Sequence, residues 1–383
     1  MKIGIVCPYN IARGGGVQEV VLALCKDLNR RGHTAKIITP QPRELESVEE
    51  NPNIIFLGGS ADLYSPMHTL AQVSASISNE AIDAVLEAEQ FDLLHFHEPW
   101  VPMLSRQILA RSKSVNVATF HAKIPETIMS QTVMKAVMPY LKSVLKYLDE
   151  ITAVSDAAAE YISTMTDQDI KIIPNGIDLK TYAQKDVRPD TPNKNILYIG
   201  RLEKRKGVKY LIKAFQLLQT KHPEAKLIIA GDGPDREKLE DMVGDLQLPN
   251  VQFLGYISDE QKHELLATAD LFCSPAIFGE SFGIVLLEAM AYDLPVVAGN
   301  NAGYSSVMQG VGGLSLINPE DSAEFSRRLE MLLYEPAIIK LWSTWAKQYV
   351  KRFNYPAVID EYEEAYKLAI KHHAVNPPLL PVQ

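Results

Sequence analysis

Short apolar runs alternate with segments of helical periodicity along the whole chain, and this alternation restricts the fold more than any other feature. The first half carries "KIGIVCPY", "TAKIITP", "NIIFLG", "FDLLHFH", "NVATFH", "EITAVS" and "IKIIPNG". The second half carries "NILYIG", "AKLIIAGDG", "VQFLGY", "LFCSPA" and "LPVVAG", most of them separated by helical stretches. Strands that alternate with helices pair in parallel, with helices on both faces of the sheet. The fold class is therefore α/β. At 383 residues the chain exceeds one ordinary core, so two domains are expected. The stretch 183–194, "AQKDVRPDTPNK", is polar, proline-bearing and aperiodic, and marks the boundary. Two doubly wound parallel sheets are predicted, in residues 1–188 and 189–355, facing each other across a cleft. Ligands of such sheets sit outside the C-terminal ends of the strands.

Composition excludes several function classes. Hydrophobic residues at 46% and charged residues at 22% describe a soluble globular chain. The net charge of −9 argues against general nucleic-acid binding, so no nucleic-acid partner is expected. Cys7, Cys25 and Cys273 are scattered and read as buried thiols in a reducing compartment, not as disulfides or metal ligands. The N-terminus "MKIGIVCPYN" has no secretory apolar region. No stretch approaches the roughly 18 apolar residues of a membrane span. A cytoplasmic protein is expected, one that can still rest on the inner face of a membrane.

Three stretches carry chemistry. The first, "PYNIARGGGVQEVVLALCKDL", runs from a strand through Gly14, Gly15 and Gly16 into a helix with Val17, Val20, Val21, Leu24 and Leu28 on one stripe. Glycines let the backbone approach another group, and a helix N-terminus favours an anion such as phosphate. It is not the G-x-G-x-x-G dinucleotide fingerprint. The second stretch, "GRLEKRKG", places Arg201, Lys204, Arg205 and Lys206 between a strand and a helix. Cations there oppose the helix dipole. Such a cluster is either a solvated face or the partner of an anion that Arg and Lys would grip. The third, "GESFGIVLLEAMA", separates Glu280 from Glu288 by seven residues. Glu280 is expected to precede the helix and Glu288 to lie within it. Taken singly, Glu280 reads at least as well as a helix N-terminal acid, and Glu288 as a surface glutamate.

Taken in order, "GGGVQ", "HFHEP", "ATFH", "AVSD", "IPNGID", "GRLEKRKG", "AGDGPDREKLE" and the Glu280–Glu288 segment resemble the retaining family 4 glycosyltransferases over roughly residues 2–370. Within that family the chain is most similar to the phosphatidylinositol mannosyltransferases. The resemblance implies the GT-B architecture of two facing Rossmann-like domains, with a C-terminal helix at about 356–374 returning to the first domain. It implies a nucleotide-sugar donor, GDP-mannose, and a hexose transferred to a lipid such as phosphatidylinositol or to a saccharide. Donor contacts are implied for Tyr9, Gly15, Gly16, Arg201, Arg205, Lys206, Tyr256, Ile257, Ser258, Lys262, Glu280, Ser281, Phe282, Gly283, Ile284 and Glu288. Among these, Arg201 and Lys206 neutralise the diphosphate, Glu280 bonds the sugar hydroxyls and Glu288 the ribose. Gln18 and His121 are implied on the acceptor side, and His121, Glu280, Arg201 and Lys206 in catalysis.

No cofactor and no metal are expected. "DQD" at 167–169 reads as surface, and preorganised cations can stabilise a departing diphosphate on their own. His95 and His97 share a strand face and are expected to have a structural or acceptor-side role. Residues 56–69, "FLGGSADLYSPMHT", lack the Tyr-Asn pair and the arginine with which the inositol-lipid enzymes hold the acceptor phosphate. The helical stretch 127–150 carries Lys135, Lys142 and Lys146 on one face, which suits either solvent or an anionic lipid surface. Rival readings are a UDP-glucose-dependent transferase acting on diacylglycerol or a saccharide, a sugar-nucleotide epimerase on the same fold, and a two-domain binding protein without catalysis.

Overall fold

A computed structural model describes residues 1–12, 15–42, 51–64, 70–74, 78–101, 103–123, 138–182 and 193–375, with the backbone alone at 62–64 and 70–74. The chain divides into one unit made of Met1–Gly176 with Tyr355–Gln383 and another made of Ile177–Asn354. The divisions fall after Gly176 and after Asn354. Most of the stretch 183–194 lies outside the described residues.

The first unit is built on β1 (Lys2–Val6), β2 (Thr34–Gln41), β3 (Ile54–Tyr64), β4 (Leu70–Ser74), β5 (Leu93–His97), β6 (Val115–Phe120), β7 (Glu150–Ala153) and β8 (Ile170–Ile172), in the order β4-β3-β2-β1-β5-β6-β7-β8. All pairs are parallel except β3 with β4. The central strands are buried along their length, "KIGIV", "LLHFH" and "VNVATF", because helices cover both faces of a parallel sheet. The helix Gly16–Arg30 lays Val21, Leu24 and Leu28 into this core. The last helix, Tyr355–Val375, adds Val358, Ile359, Tyr362, Ala365, Tyr366 and Ala369, three and four residues apart on one stripe. Arg31 ties the two helices together by donating to Asp360 at 2.6 Å, to Glu363 at 2.8 Å and to the Pro356 carbonyl at 2.7 Å.

The second unit carries β9 (Asn195–Ile199), β10 (Lys226–Ala230), β11 (Val251–Gly255), β12 (Leu271–Ser274), β13 (Val296–Gly299) and β14 (Leu316–Ile317), in the order β11-β10-β9-β12-β13-β14 and all parallel. The helix Val208–Gln219 follows β9 and buries Val208, Leu211, Ile212, Phe215 and Leu218. In both sheets the chain runs outward to one side and then returns to the other. The reversals lie between β1 and β5 and between β9 and β12.

Several other expectations meet the structure here. Cys7, Cys25 and Cys273 are free and buried, and burial pushes their thiols up, Cys7 to about 12 and Cys25 to about 11. Of the stretch 127–150, residues 124–137, with Lys135, lie outside the described part. The rest buries Leu141, Val144, Leu145 and Leu148 and exposes Lys142 and Lys146. "DQD" at 167–169 is an exposed turn. Among the described residues no helix is long and apolar enough to cross a membrane.

The turn after β10 is tight. Gly231 has φ +134°, and a Cβ there would stand 1.9 Å from the Gly200 carbonyl oxygen. Gly231→Ala is therefore expected to cost about 2–4 kcal/mol from backbone strain and overlap. Gly244, in the helix Arg236–Asp245, has nothing within 4 Å of such a Cβ. Gly244→Ala should be neutral or stabilise by up to about 1 kcal/mol. Urea unfolding of the two variants decides; equal midpoints would contradict this account of the turn.

Candidate functional site

In the second unit the reversal point holds a knot of charge. The loop leaving β9 forms one turn of 3-10 helix, Lys204–Lys206, and ends at Gly207 with φ +71°. A Cβ at Gly207 would meet the Pro275 carbonyl oxygen at 2.1 Å, so this loop lies directly on the one leaving β12. The contact brings Lys206 Nζ (2.7 Å) and Arg205 Nη1 (2.8 Å) onto the same oxygen, Glu280 Oε1. Glu203 completes the knot by accepting from Arg205 Nε at 3.0 Å and pairing with Arg201 Nη2 at 2.7 Å. Three cations therefore share two carboxylates. The Arg201 side chain stays 52% exposed, while that of Glu280 is 13% exposed. Lys204 points to solvent.

Glu280 precedes the helix Ile284–Ala291, which starts after Gly283 at φ +112° with no side chain capping its first turn. The Phe282 side chain is buried against Phe353. Two turns along, Glu288 is 6% exposed and accepts at Oε1 from Lys262 Nζ (3.0 Å) and from the Tyr182 hydroxyl (3.2 Å). Lys262 belongs to the helix Asp259–Thr268, whose first turn is closed by Ser258 and Gln261 capping each other. The Ser258 side chain is thereby committed to its own helix. Tyr256, just after β11, is 88% exposed.

In the first unit the reversal point is lined by histidines. The helix Gly16–Arg30 starts after Gly15 without a side-chain cap, and Gly16 is exposed. A Cβ at Gly15 would stand 2.6 Å from Gln18 Oε1, so a side chain there would displace the end of Gln18. Gln18 Nε2 donates to the Asn10 carbonyl at 3.5 Å. Tyr9 is half-buried, and its carbonyl accepts from Thr39 Oγ1 at 2.8 Å. At the ends of β5 and β6, His97 Nδ1 and His121 Nε2 lie 2.8 Å apart. Beneath them His95 shares hydrogen bonds with the Tyr366 hydroxyl (2.8 Å) and Thr119 Oγ1 (2.7 Å). Burial disfavours charge on these rings and drives His95 down to about 3, His121 to about 4, and His97 well below its ordinary value.

Glu98 has the role least visible in the sequence. It is buried at φ +49° and turns its carboxyl inward. Oε1 accepts from the main-chain N–H groups of His121 (2.5 Å) and Ala122 (2.7 Å), and Oε2 from Trp100 Nε1. Burial raises it to about 7 in spite of those donors. Its only sequence signal was its place in "HFHEP" beside two histidines. Glu203 and Tyr182 were likewise not singled out. Among the candidates, Arg205, Lys206 and Glu280 come together directly, Arg201 joins them through Glu203, and Lys262 meets Glu288. Tyr9, Gly15, Gly16, Gln18 and His121 belong to the first unit. Of the stretch 56–69, residues 65–69 lie outside the described part and 62–64 are described by their backbone alone. Among the described residues no group of three or more His, Cys, Asp or Glu could hold a metal ion.

Residues 14–181 match the family described as Glycosyltransferase Family 4, and residues 180–349 match Glycosyl transferases group 1. The chain is 30% identical over 375 residues to the phosphatidyl-myo-inositol mannosyltransferase of Mycobacterium tuberculosis, covering 96% of this chain and 97% of that one. It is 29% identical over 371 residues to the enzyme of the same name from Mycolicibacterium smegmatis, covering 96% and 94%. Sucrose-phosphate synthase from Thermosynechococcus elongatus superposes with a TM-score of 0.75 at 20% identity, covering 96% and 98%. That likeness shows the fold, the GT-B architecture of two Rossmann-like domains.

The buried histidines bear on stability. Their folded pKa values lie below the ordinary 6.5, so the unfolded chain binds more protons at acid pH. Their contribution is present above pH 6.5 and is lost as pH falls through about 4. Glu98 opposes them, since its raised value makes its contribution fade as pH climbs from 4.5 to about 7. Within this cluster three rings outweigh one carboxyl, so its contribution to stability should fall as pH drops from 6.5 to 4.5. The slope is about 1.4 kcal/mol per pH unit for each proton. Unfolding midpoints across this range should show a shallower slope in His121→Asn, by about one proton; an unchanged slope contradicts the account.

Proposed function

This chain belongs to glycosyltransferase family 4, and from that premise we propose that it moves mannose from GDP-mannose to a lipid acceptor such as phosphatidylinositol, retaining configuration at the anomeric carbon and needing no metal. The observation that carries the chemistry is the knot at the end of β9, where Lys206 and Arg205 converge on one oxygen of Glu280. A single carboxylate with two cations can release one of them. Lys206 then turns to the donor diphosphate while Arg205 keeps Glu280 oriented toward the sugar hydroxyls. Arg201, half-exposed on Glu203, is the second diphosphate cation. Cations preorganised in this way stabilise the charge that develops as the glycosidic bond breaks. Glu288 with Lys262 takes the ribose, and Tyr256 with Ile257 lies beside the base.

The proposed reaction proceeds on one face of the sugar. The bond from the anomeric carbon to the phosphate oxygen breaks, and the acceptor oxygen bonds to the same face. The acceptor proton passes to the departing phosphate. His121 positions sugar and acceptor. Mannose and an inositol lipid are favoured by the likeness to the two mannosyltransferases, and GDP by the resemblance of the sequence motifs. The missing Tyr-Asn pair and arginine in residues 56–69 favour a saccharide as the second acceptor class. Such a protein would work at the inner face of a membrane without spanning it.

A thermal-shift series with GDP, UDP and ADP sugars tests the donor, because a ligand of the native state raises the midpoint by mass action. GDP-mannose should give the largest shift; a larger shift with UDP-glucose would replace the donor.

Transfer should survive excess EDTA. Loss on chelation with recovery in Mg²⁺ or Mn²⁺ would overturn the metal-free reading.

Arg201→Ala or Lys206→Ala should lower kcat/KM about ten- to a hundredfold, since a charge-assisted hydrogen bond contributes roughly 1.5–3 kcal/mol. Much of the loss should fall in kcat. Lys204→Ala, its side chain in solvent, should turn over normally. The reverse order would place the diphosphate on the other side of the loop.

A further inference from the structure

We infer that His97 fixes His121 in the tautomer that carries its proton on Nδ1, making His121 a hydrogen-bond donor to a ligand oxygen. The inference rests on the proposal that His121 meets the sugar or acceptor; His97 is a positioning residue that acts through it.

The argument begins with strand register. β5 and β6 pair in parallel with His97 opposite Thr119, so the ring two residues beyond Thr119 reaches back over His97. The rings stack at 5.1 Å between centroids, with Nδ1 of His97 2.8 Å from Nε2 of His121. Two neutral imidazoles at that distance share one proton, and one ring must donate while the other accepts.

The far side of His97 decides which. His97 is fully buried, and its Nε2 has no hydrogen-bond partner among the described residues. If His121 donated, His97 would have to carry its proton on Nε2, as an N–H sealed in the core with no acceptor among the described residues. Orphaned buried N–H groups are rarer than under-satisfied acceptors. The proton therefore sits on His97 Nδ1 and is donated to His121 Nε2. A neutral His121 then carries its own proton on Nδ1.

Glu98 acts in concert. By accepting from the main-chain N–H groups of His121 and Ala122 it clamps the backbone, while its neighbour His97 holds the ring. Consecutive residues of one strand end thus fix both the position and the protonation of a group on the next strand. With Nε2 engaged and Nδ1 protonated, His121 has no free lone pair. It offers a donor to a sugar or acceptor oxygen and does not remove the acceptor proton.

Nitrogen-15 spectra of the full chain with labelled histidine test this directly. The His121 resonances, assigned by their loss in His121→Gln, should show a protonated Nδ1 and a bare Nε2. His97→Leu should abolish that signature, whereas His97→Asn, whose amide N–H can occupy the place of Nδ1–H, should keep it. In parallel, His97→Leu should lower kcat about tenfold, the effect of losing one well-aligned hydrogen bond. KM should be nearly unchanged, and His97→Asn should recover most of the rate. His121 protonated at Nε2 in the wild type overturns the inference, as does a tautomer that His97→Leu leaves unaltered. If the leucine variant fails to fold, the wild-type and asparagine spectra decide alone. Normal transfer by His121→Ala would overturn the functional reading of His121 while the tautomer assignment stood.

Discussion

Each sheet in this protein is parallel apart from the β3–β4 pair at the edge of the first, and each reverses its order once; nearly every feature of chemical interest follows from that reversal. Where neighbouring strands send their connections to opposite faces of a sheet, their C-terminal ends are left with space above them. In the first unit that gap lies between β1 and β5 and receives the uncapped helix start at Gly15 and the histidines at the ends of β5 and β6. In the second it lies between β9 and β12 and receives the cationic loop and Glu280. The same architectural accident, used twice, is furnished with opposite chemistry. One end is lined by neutral, desolvated rings, and the other by charges that keep one another in place.

The charged end is held by geometry at close quarters. Gly207 allows one loop to rest on the carbonyl of Pro275, and Gly303 packs against the main chain of Glu280 so closely that a Cβ would stand 2.2 Å from its oxygen. Cations tied to Glu203 and Glu280 are ordered before any ligand arrives. Ordering side chains in advance removes an entropic cost that binding would otherwise carry. The carboxylates also offset the repulsion among Arg201, Arg205 and Lys206, which lie within six residues of one another.

Much of this was legible in the sequence, and what was not has identifiable causes. The alternation of strand and helix is written in apolar periodicity, so the two doubly wound sheets could be read directly. The second half of β3 and its antiparallel partner β4 could not, because "GGSADLY" and "LAQVS" carry little of the apolar pattern that marks a buried strand. The cationic loop could be singled out because cations at a helix start call for an anion, and Lys206 within it because of the family resemblance. The pairing of Glu203 with two arginines depends on the 3-10 turn between them, which no residue pattern announces. The grip of Glu98 depends on a positive φ that a glutamate seldom adopts. The approach of His97 to His121 was within reach, since "LLHFH" and "NVATFH" end adjacent strands; only the register was missing.

The last helix has a consequence for how the chain is made. Tyr362 and Tyr366 close the network under His95, 271 residues from Tyr366 in sequence. During synthesis the first unit can assemble its strands early, but the stripe from Val358 to Ala369 reaches its core only after Ile177–Asn354 has been translated. At ~5–20 residues per second that delay is on the order of 10–40 s. Through that interval the apolar face that the last helix will cover is open to water and to chaperones. The unit whose sequence begins first is thus the one completed last, and a chain released after residue 354 would carry every residue of the second unit while leaving the first without its last helix.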